Sequence, residues 1–139
     1  MSARVVIYSD DSSVRAAVKA ALGSKLASDL PVETIEFATA DALRQYIDQT
    51  DTKGRVRADL FILDGEAAPE GGLGVARQLK DEVFNCPPSI VLIARQSDSW
   101  LAAWSRAEAN VLHPVDPFTL SHTVADLLRA RTVAINATA

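Results

Sequence analysis

The chain carries a single cysteine among 139 residues, Cys86, which excludes an internal disulfide and any cysteine-cluster metal site. Set against Pro87-Pro88, that thiol reads as a small apolar filler. No stretch approaches the roughly 18 consecutive apolar residues of a membrane span, so no direct membrane insertion is expected. Basic residues are in deficit: 14 Lys and Arg stand against 18 Asp and Glu, for a net charge of −4. A nucleic-acid partner, whose phosphates need a concentrated basic surface, is therefore not expected. The one dense basic cluster, Lys53, Arg55 and Arg57, surrounds Gly54 in a polar stretch and reads as a solvated loop. There is no low-complexity segment. Met1-Ser2-Ala3-Arg4 runs straight into a strand pattern and lacks the form of a signal peptide, which implies a cytoplasmic protein, peripheral to the inner membrane only through a partner. Gly71-Gly72-x-Gly74 lacks the full dinucleotide-loop spacing and reads as a turn.

What is present is an alternation of two apolar periods. Apolar residues make up 48% of the chain and charged residues 23%, the balance of an ordinary globular protein with one domain of the commonest size. Arg4 to Tyr8, Val32 to Ala38, Ala58 to Leu63, Ile90 to Ala94 and Ala109 to Leu112 read as strands. Between and after them, helical spacing predicts helices from Ser12 to about Ala27, Asp41 to Ile47, Leu73 to Val83, Ser97 to Ala107 and Phe118 to about Arg131. Residues 1–131 thus form one domain, and 132–139 read as a frayed tail. Strands that are apolar on both faces and alternate with helices imply a parallel sheet covered on both sides. The expected fold is α/β: a doubly wound, five-stranded parallel sheet in a flavodoxin-like (βα)5 sandwich. Such sheets bind ligands at the carboxyl ends of their strands.

Five residues fall at that edge, at four strand ends: Asp10 and Asp11 after the first strand, Asp64 after the third, Ala94 after the fourth and His113 after the fifth. The acids can hold a metal ion beside a phosphoacceptor. The first pair can equally cap the following helix, where Ser12 or Asp11 would accept orphan amide hydrogens. Trp100 and Trp104 are the only tryptophans and lie four apart, on one helical stripe. They read either as core or as an anchor for a protein partner, where tryptophan is enriched. His122 reads as an exposed helix residue.

At these residues the chain resembles a response-regulator receiver domain of CheY type, from Arg4 to about Arg131. Ser9-Asp10-Asp11 with Arg15 occupies the family's acid-pair stretch, with Ser9 where the first acid often lies and Asp10 on the direct metal ligand. Asp64 matches the phosphoacceptor, with Gly72-Leu73 following at the expected interval and Pro69 one place late. The resemblance implies Mg²⁺ held by Asp10, Asp11, Asp64 and the backbone carbonyl of Glu66. Other signature positions depart. Ala94, 30 residues after Asp64, replaces a hydroxyl; Arg95 replaces a small residue; Asn110 replaces an aromatic switch residue; His113-Pro114 replaces lysine-proline. The family's cis peptide is expected before Pro114.

Phosphoryl transfer to a carboxylate depends on neutralising three equatorial oxygens. Mg²⁺ serves one, lysine a second and a hydroxyl the third. Ala94 cannot donate, and His113 is shorter and lacks lysine's fixed charge. One lost donor in a comparable oxyanion site costs roughly 2.7–4 kcal/mol. Two such losses slow transfer by about three orders of magnitude or more. Arg95 either swings onto Asp64 to replace the lysine or forms a standing ion pair that makes Mg²⁺ unnecessary. The chain thus looks like an atypical, orphan or pseudo-receiver: not an enzyme, requiring no cofactor, and binding a protein partner through Trp100 and Trp104. In receivers the fourth helix, fifth strand and fifth helix form the usual partner face. The narrower likeness is to actinobacterial-type orphan receivers, one of which resembles an accessory subunit of the proton-pumping NADH dehydrogenase, a membrane-bound respiratory complex. The alternatives are a working phosphoacceptor on Asp64 and a flavodoxin-like cofactor binder. The latter is disfavoured because the acids would repel a nucleotide's phosphates.

Overall fold

The computed structural model describes residues 2–138. Six strands form one sheet: β1 (Ala3–Tyr8), β2 (Lys25–Ala27), β3 (Leu30–Phe37), β4 (Leu60–Asp64), β5 (Ser89–Ile93) and β6 (Ala109–Leu112). Their spatial order is β2-β3-β1-β4-β5-β6. The five from β3 to β6 are mutually parallel, and β2 pairs antiparallel with β3. Five helices cover them: α1 (Ser12–Leu22), α2 (Ala40–Asp48), α3 (Gly72–Glu82), α4 (Ser99–Trp104) and α5 (Pro117–Thr138). The doubly wound α/β class is as the sequence implies.

The strand residues explain the two-sided core. In β1, Val5 and Ile7 point to one face and Val6 and Tyr8 to the other; Leu60/Ile62 against Phe61/Leu63 and Ile90/Leu92 against Val91/Ile93 repeat the division. The first set packs with Val18 and Leu22 of α1 and Leu120, Val124 and Leu128 of α5. The second packs with Leu43 and Ile47 of α2, Val75 and Leu79 of α3, and Ala102 of α4. Successive strand side chains alternate between faces, so an unbroken apolar strand serves both layers at once. Winding reverses at β1, which has β3 on one side and β4 on the other. The gap beyond their carboxyl ends is where Asp10 and Asp64 lie.

Four boundaries differ from the sequence expectation. The first helix stops at Leu22 rather than Ala27, because Gly23 takes the left-handed conformation (φ 62°) and returns its N–H to the Lys19 carbonyl. Lys25–Ala27 then makes β2, so the sheet has six strands, not five. The helix expected through Ala107 is only Ser99–Trp104, preceded by a 3-10 turn at Gln96–Asp98. There the buried Ser105 hydroxyl donates to the Ala102 carbonyl and Arg106 adopts φ 64°; a local hydroxyl bond of this kind competes with helix propagation. Last, α5 continues to Thr138, past the expected end at Arg131, since residues 132–138 contain neither glycine nor proline to stop it. Ala139 of the expected tail, and Met1, lie outside the described residues.

Two glycines show how tightly α3 abuts the sheet. A Cβ on Gly72 would sit 2.7 Å from the Asp64 carbonyl carbon and oxygen, whereas one on Gly74 would meet nothing within 4 Å. Gly72→Ala is expected to lower stability by roughly 1–3 kcal/mol, since backbone cannot yield as a side chain can. Gly74→Ala should raise it by roughly 0.5–1 kcal/mol through helix propensity. Urea midpoints moving in opposite directions would bear this out; two equal shifts would refute the packing argument.

Candidate functional site

At the carboxyl edge of the sheet, Asp10, Asp11, Val14, Asp64, Glu66, Ala94 and His113 line one cleft of about 370 Å³. The acids predicted from sequence are thus brought together with the two departures, Ala94 and His113. Their roles within the cleft differ.

Asp64 ends β4 and is only 2% exposed. A buried carboxylate is tolerated where its oxygens are hydrogen-bonded, and three donors meet this one. The Ser9 hydroxyl donates to Oδ2 at 2.7 Å, and the Glu66 backbone N–H donates to Oδ1 at 2.9 Å. His113 Nε2 lies 2.9 Å from Oδ1. An ionised carboxylate only accepts, so Nε2 carries the hydrogen in this contact. Sequence had marked Ser9 and His113 as losses; the fold makes both of them donors to the acceptor acid. The signal was present in the residue types, since a hydroxyl and an imidazole replace an acid and an ammonium. Only the pairing of β1 with β4 and of β5 with both β4 and β6 shows that they converge.

The backbone around each donor is itself fixed. Ser9, fully buried, donates its N–H to the Phe37 carbonyl at 3.2 Å, and its own carbonyl accepts from Arg15 Nη1 at 2.7 Å. Arg15 in turn reaches Glu36 at 3.3 Å. His113 donates its N–H to the Ile93 carbonyl at 2.9 Å and precedes the cis peptide to Pro114 that the sequence implied; Ala68-Pro69 is cis as well. The loop after Asp64 is tied down by Glu70. Its carboxylate accepts from Arg44 of α2, which also bonds the Gln78 side chain of α3, and its carbonyl accepts from the Tyr8 hydroxyl. The Arg44 hydrogen bonds hold the Glu70 carboxyl below its usual range, while burial pushes the Tyr8 phenol up. This latch is not legible in the sequence, because its bonded members lie 26 to 62 residues apart.

The two acids of the first loop are otherwise engaged. Asp11 Oδ1 accepts from Ser13 N–H at 2.8 Å and is the N-cap of α1. Asp10 Oδ1 accepts from Ala68 N–H at 3.2 Å. Receiver domains bind Mg²⁺ in phosphorylation, and that ion would need several oxygens converging in near-octahedral geometry. Among the described residues no three His, Cys, Asp or Glu side chains converge as a metal-binding group. In the arrangement observed, both Asp64 oxygens are bonded to protein donors and Asp11 is turned onto its helix, so holding the ion with Asp10, Asp11, Asp64 and the Glu66 carbonyl would require those contacts to be exchanged.

The remaining predicted residues stand apart from the cleft. Arg95 does not reach Asp64; its guanidinium lies 3.4 Å from Asp98, and its side chain is 76% exposed. Asn110 is exposed on the edge strand β6. Trp100 and Trp104 are 66% and 50% exposed on α4, so neither is a core residue. Trp104 leans toward α3, where the Arg77 guanidinium carbon sits 5.5 Å from its ring centroid and Arg77 Nη1 donates to the Trp104 carbonyl at 2.9 Å.

This fold and this strand-edge acid define a receiver domain. Solved receivers superpose over nearly the whole chain: the signal receiver domain of a LuxO repressor protein from Vibrio parahaemolyticus has a TM-score of 0.79 at 18% identity, covering 100% of this chain and 99% of that one. A CheY-like receiver from Methanospirillum hungatei has a TM-score of 0.72 at 19% identity, over 96% and 99%. No family model matches the sequence. Two uncharacterized response regulatory proteins of Mycobacterium tuberculosis, from strains CDC 1551 and H37Rv, are each 53% identical over 128 residues, spanning 91% of this chain and 92% of theirs. The chain belongs to the response regulator family.

If the three donors hold Asp64, removing one leaves a buried charge short of a partner. Ser9→Ala and His113→Ala should each cost about 1–3 kcal/mol. In an Asp64→Ala background the same changes should cost far less, because the group they serve is gone. Costs that stay the same without the carboxylate, in a urea double-mutant cycle, would show that Ser9 and His113 stabilise by packing alone.

Proposed function

We propose that this chain is a receiver domain whose acceptor carboxylate is held by its own protein donors, and that it acts as a non-enzymatic protein-binding module rather than as a phosphorylation switch. The observation that carries this reading is Asp64 itself, enclosed by Ser9, the Glu66 amide and His113, with Ala94 where a phosphoryl oxygen would need a hydroxyl. An incoming phosphoryl group would have to break bonds to Asp64 before gaining any. It would then meet a cleft with no lysine charge and no hydroxyl donor for two of its oxygens. The output arm is weakened for the same reason: Ala94 and the exposed Asn110 offer neither the hydroxyl nor the ring by which a phosphate biases a receiver's two states.

Protein binding is the function left to such a domain, and the two exposed tryptophans of α4 support it. Indoles supply large contact areas at low entropic cost and are enriched at binding hot spots. In the narrower form of this reading, drawn from the likeness to actinobacterial orphan receivers, the partner is a respiratory NADH dehydrogenase. The protein is then cytoplasmic and reaches the membrane only through that complex. Among the described residues no helix is long and apolar enough to cross a membrane.

Incubation with acetyl phosphate and Mg²⁺, followed by intact-mass measurement, tests the chemistry. The wild-type chain should remain unmodified, and the triple variant Ser9→Asp, Ala94→Thr, His113→Lys should gain one phosphoryl group. A stoichiometric wild-type adduct that disappears in Asp64→Ala would establish the alternative, a working phosphoacceptor. The binding half is tested separately. Trp100→Ala with Trp104→Ala should abolish capture of the respiratory complex from native membranes while lowering the stability measured in urea by no more than about 1 kcal/mol, chiefly through the lost contact of Trp104 with Arg77. Undiminished capture by the folded double variant would refute the face.

A further inference from the structure

The exposed tryptophans have a charged frame that narrows the chemistry of what they bind. The six residues of α4, Ser99 to Trp104, carry no charge. Arginines stand at both ends, Arg95 before the 3-10 turn and Arg106 after the helix. A third, Arg77 of α3, lies against the Trp104 ring.

Two carboxylates serve these three guanidiniums. Asp81 accepts from Arg106 at 2.6 Å and from Arg77 at 3.5 Å. Asp98 meets Arg95 only at 3.4 and 3.5 Å, which is marginal for a hydrogen bond. These five side chains therefore carry a positive excess of one, on a chain whose net charge is −4. Asp81 is already engaged, whereas each guanidinium has five N–H donors and Arg95 projects into solvent.

Arg106 also has an unusual backbone conformation. With φ 64° it lies in the left-handed region, where a non-glycine side chain is strained. Glycine would fit there more easily, yet the position holds an arginine whose guanidinium rests beside α3. The conformation closes the end of α4, the Arg106 N–H donating to the Ala103 carbonyl at 3.1 Å, and it sets the guanidinium beside Asp81.

We propose that the α3–α4 face receives an acidic segment of a partner protein, with apolar side chains against Trp100 and Trp104 and carboxylates at each end on Arg95 and Arg106. This rests on the protein-binding reading above and specifies the partner's chemistry. A segment laid along α4 would meet cation, indole, indole and cation in turn. Its carboxylates would form charge-assisted, bidentate bonds at the rim and its apolar middle would desolvate the rings. Basic segments would be attracted by the chain as a whole but find Asp81 occupied and the Asp98 side chain only 16% exposed on this face. Acidic segments are repelled elsewhere, so the face supplies both attraction and selectivity.

The probe is a synthetic peptide of a dozen residues with two glutamates at each end and leucines between, beside its lysine-ended counterpart, titrated into the full chain and followed by indole fluorescence. The glutamate-ended peptide should saturate and bind about tenfold more tightly than the lysine-ended one, with affinity falling as salt rises. Arg95→Glu with Arg106→Glu should reverse the preference. Arg106→Gly, which relieves the left-handed strain, should melt no lower than the wild type and still bind the glutamate-ended peptide more weakly. Equal binding of the two peptides, no binding of either, or a preference indifferent to Arg95 and Arg106 would overturn the proposal. Capture of the respiratory complex that needs Trp100 and Trp104 but survives the double charge reversal would overturn the acidic assignment alone. Capture indifferent to the tryptophans would overturn the protein-binding face beneath it.

Discussion

A carboxylate removed from water must be hydrogen-bonded or it destabilises the fold, and Asp64 is such a carboxylate. Its three donors come from the end of β1, the loop after β4 and the end of β6. One buried charge thereby ties together segments that reach the same point from three separate strands. The close approach of Gly72 to the Asp64 backbone brings α3 to the same junction, and the Arg44–Glu70 latch holds the intervening loop against α2. With whole-domain stabilities near 5–15 kcal/mol, a donor worth 1–3 kcal/mol is a substantial share. The cleft is built around a satisfied anion, and that condition governs what else can enter it.

The same balance explains why the departures from the receiver pattern belong together. Replacing an acid by Ser9 removes a negative charge next to Asp64 and supplies a hydroxyl donor. Replacing a lysine by His113 removes a fixed positive charge but leaves an N–H directed at Asp64. The two changes offset each other in charge and both add a bond to the resting carboxylate. Ala94 does not enter that balance, since it lines the cleft without bonding Asp64; it matters only to an incoming phosphoryl group. On the proposed reading, a pocket arranged in this way favours one state, and such a domain is better suited to being a fixed surface than a switch. The exposed indoles of α4 and the arginines around them lie outside the cleft, so their use does not depend on chemistry at Asp64.

Much of this was open to inference from the chain alone. Strand and helix alternation, the doubly wound class and the shared edge of Asp10, Asp64, Ala94 and His113 follow from local patterns, while the cis peptide before Pro114 was implied by the family resemblance. Burial on both faces of β4 and β5 is written in their unbroken apolar runs. The misjudged boundaries had weaker signals. Gly23 ends α1 by taking a left-handed conformation that its composition permits without requiring. Ser105 shortens α4 through a hydroxyl bond that depends on burial. The end of α5 lacked a stop signal altogether, and a frayed tail was inferred from its terminal position.

The sequence by itself determined which residue types stand at each strand end, because strand period and loop length depend on neighbours along the chain. Tertiary structure decided what those residues do to one another. That Ser9 and His113 satisfy Asp64 and that Trp104 rests on Arg77 are contacts between segments distant in the chain. Such contacts follow from where packing places each backbone, and local pattern carries no record of that placement.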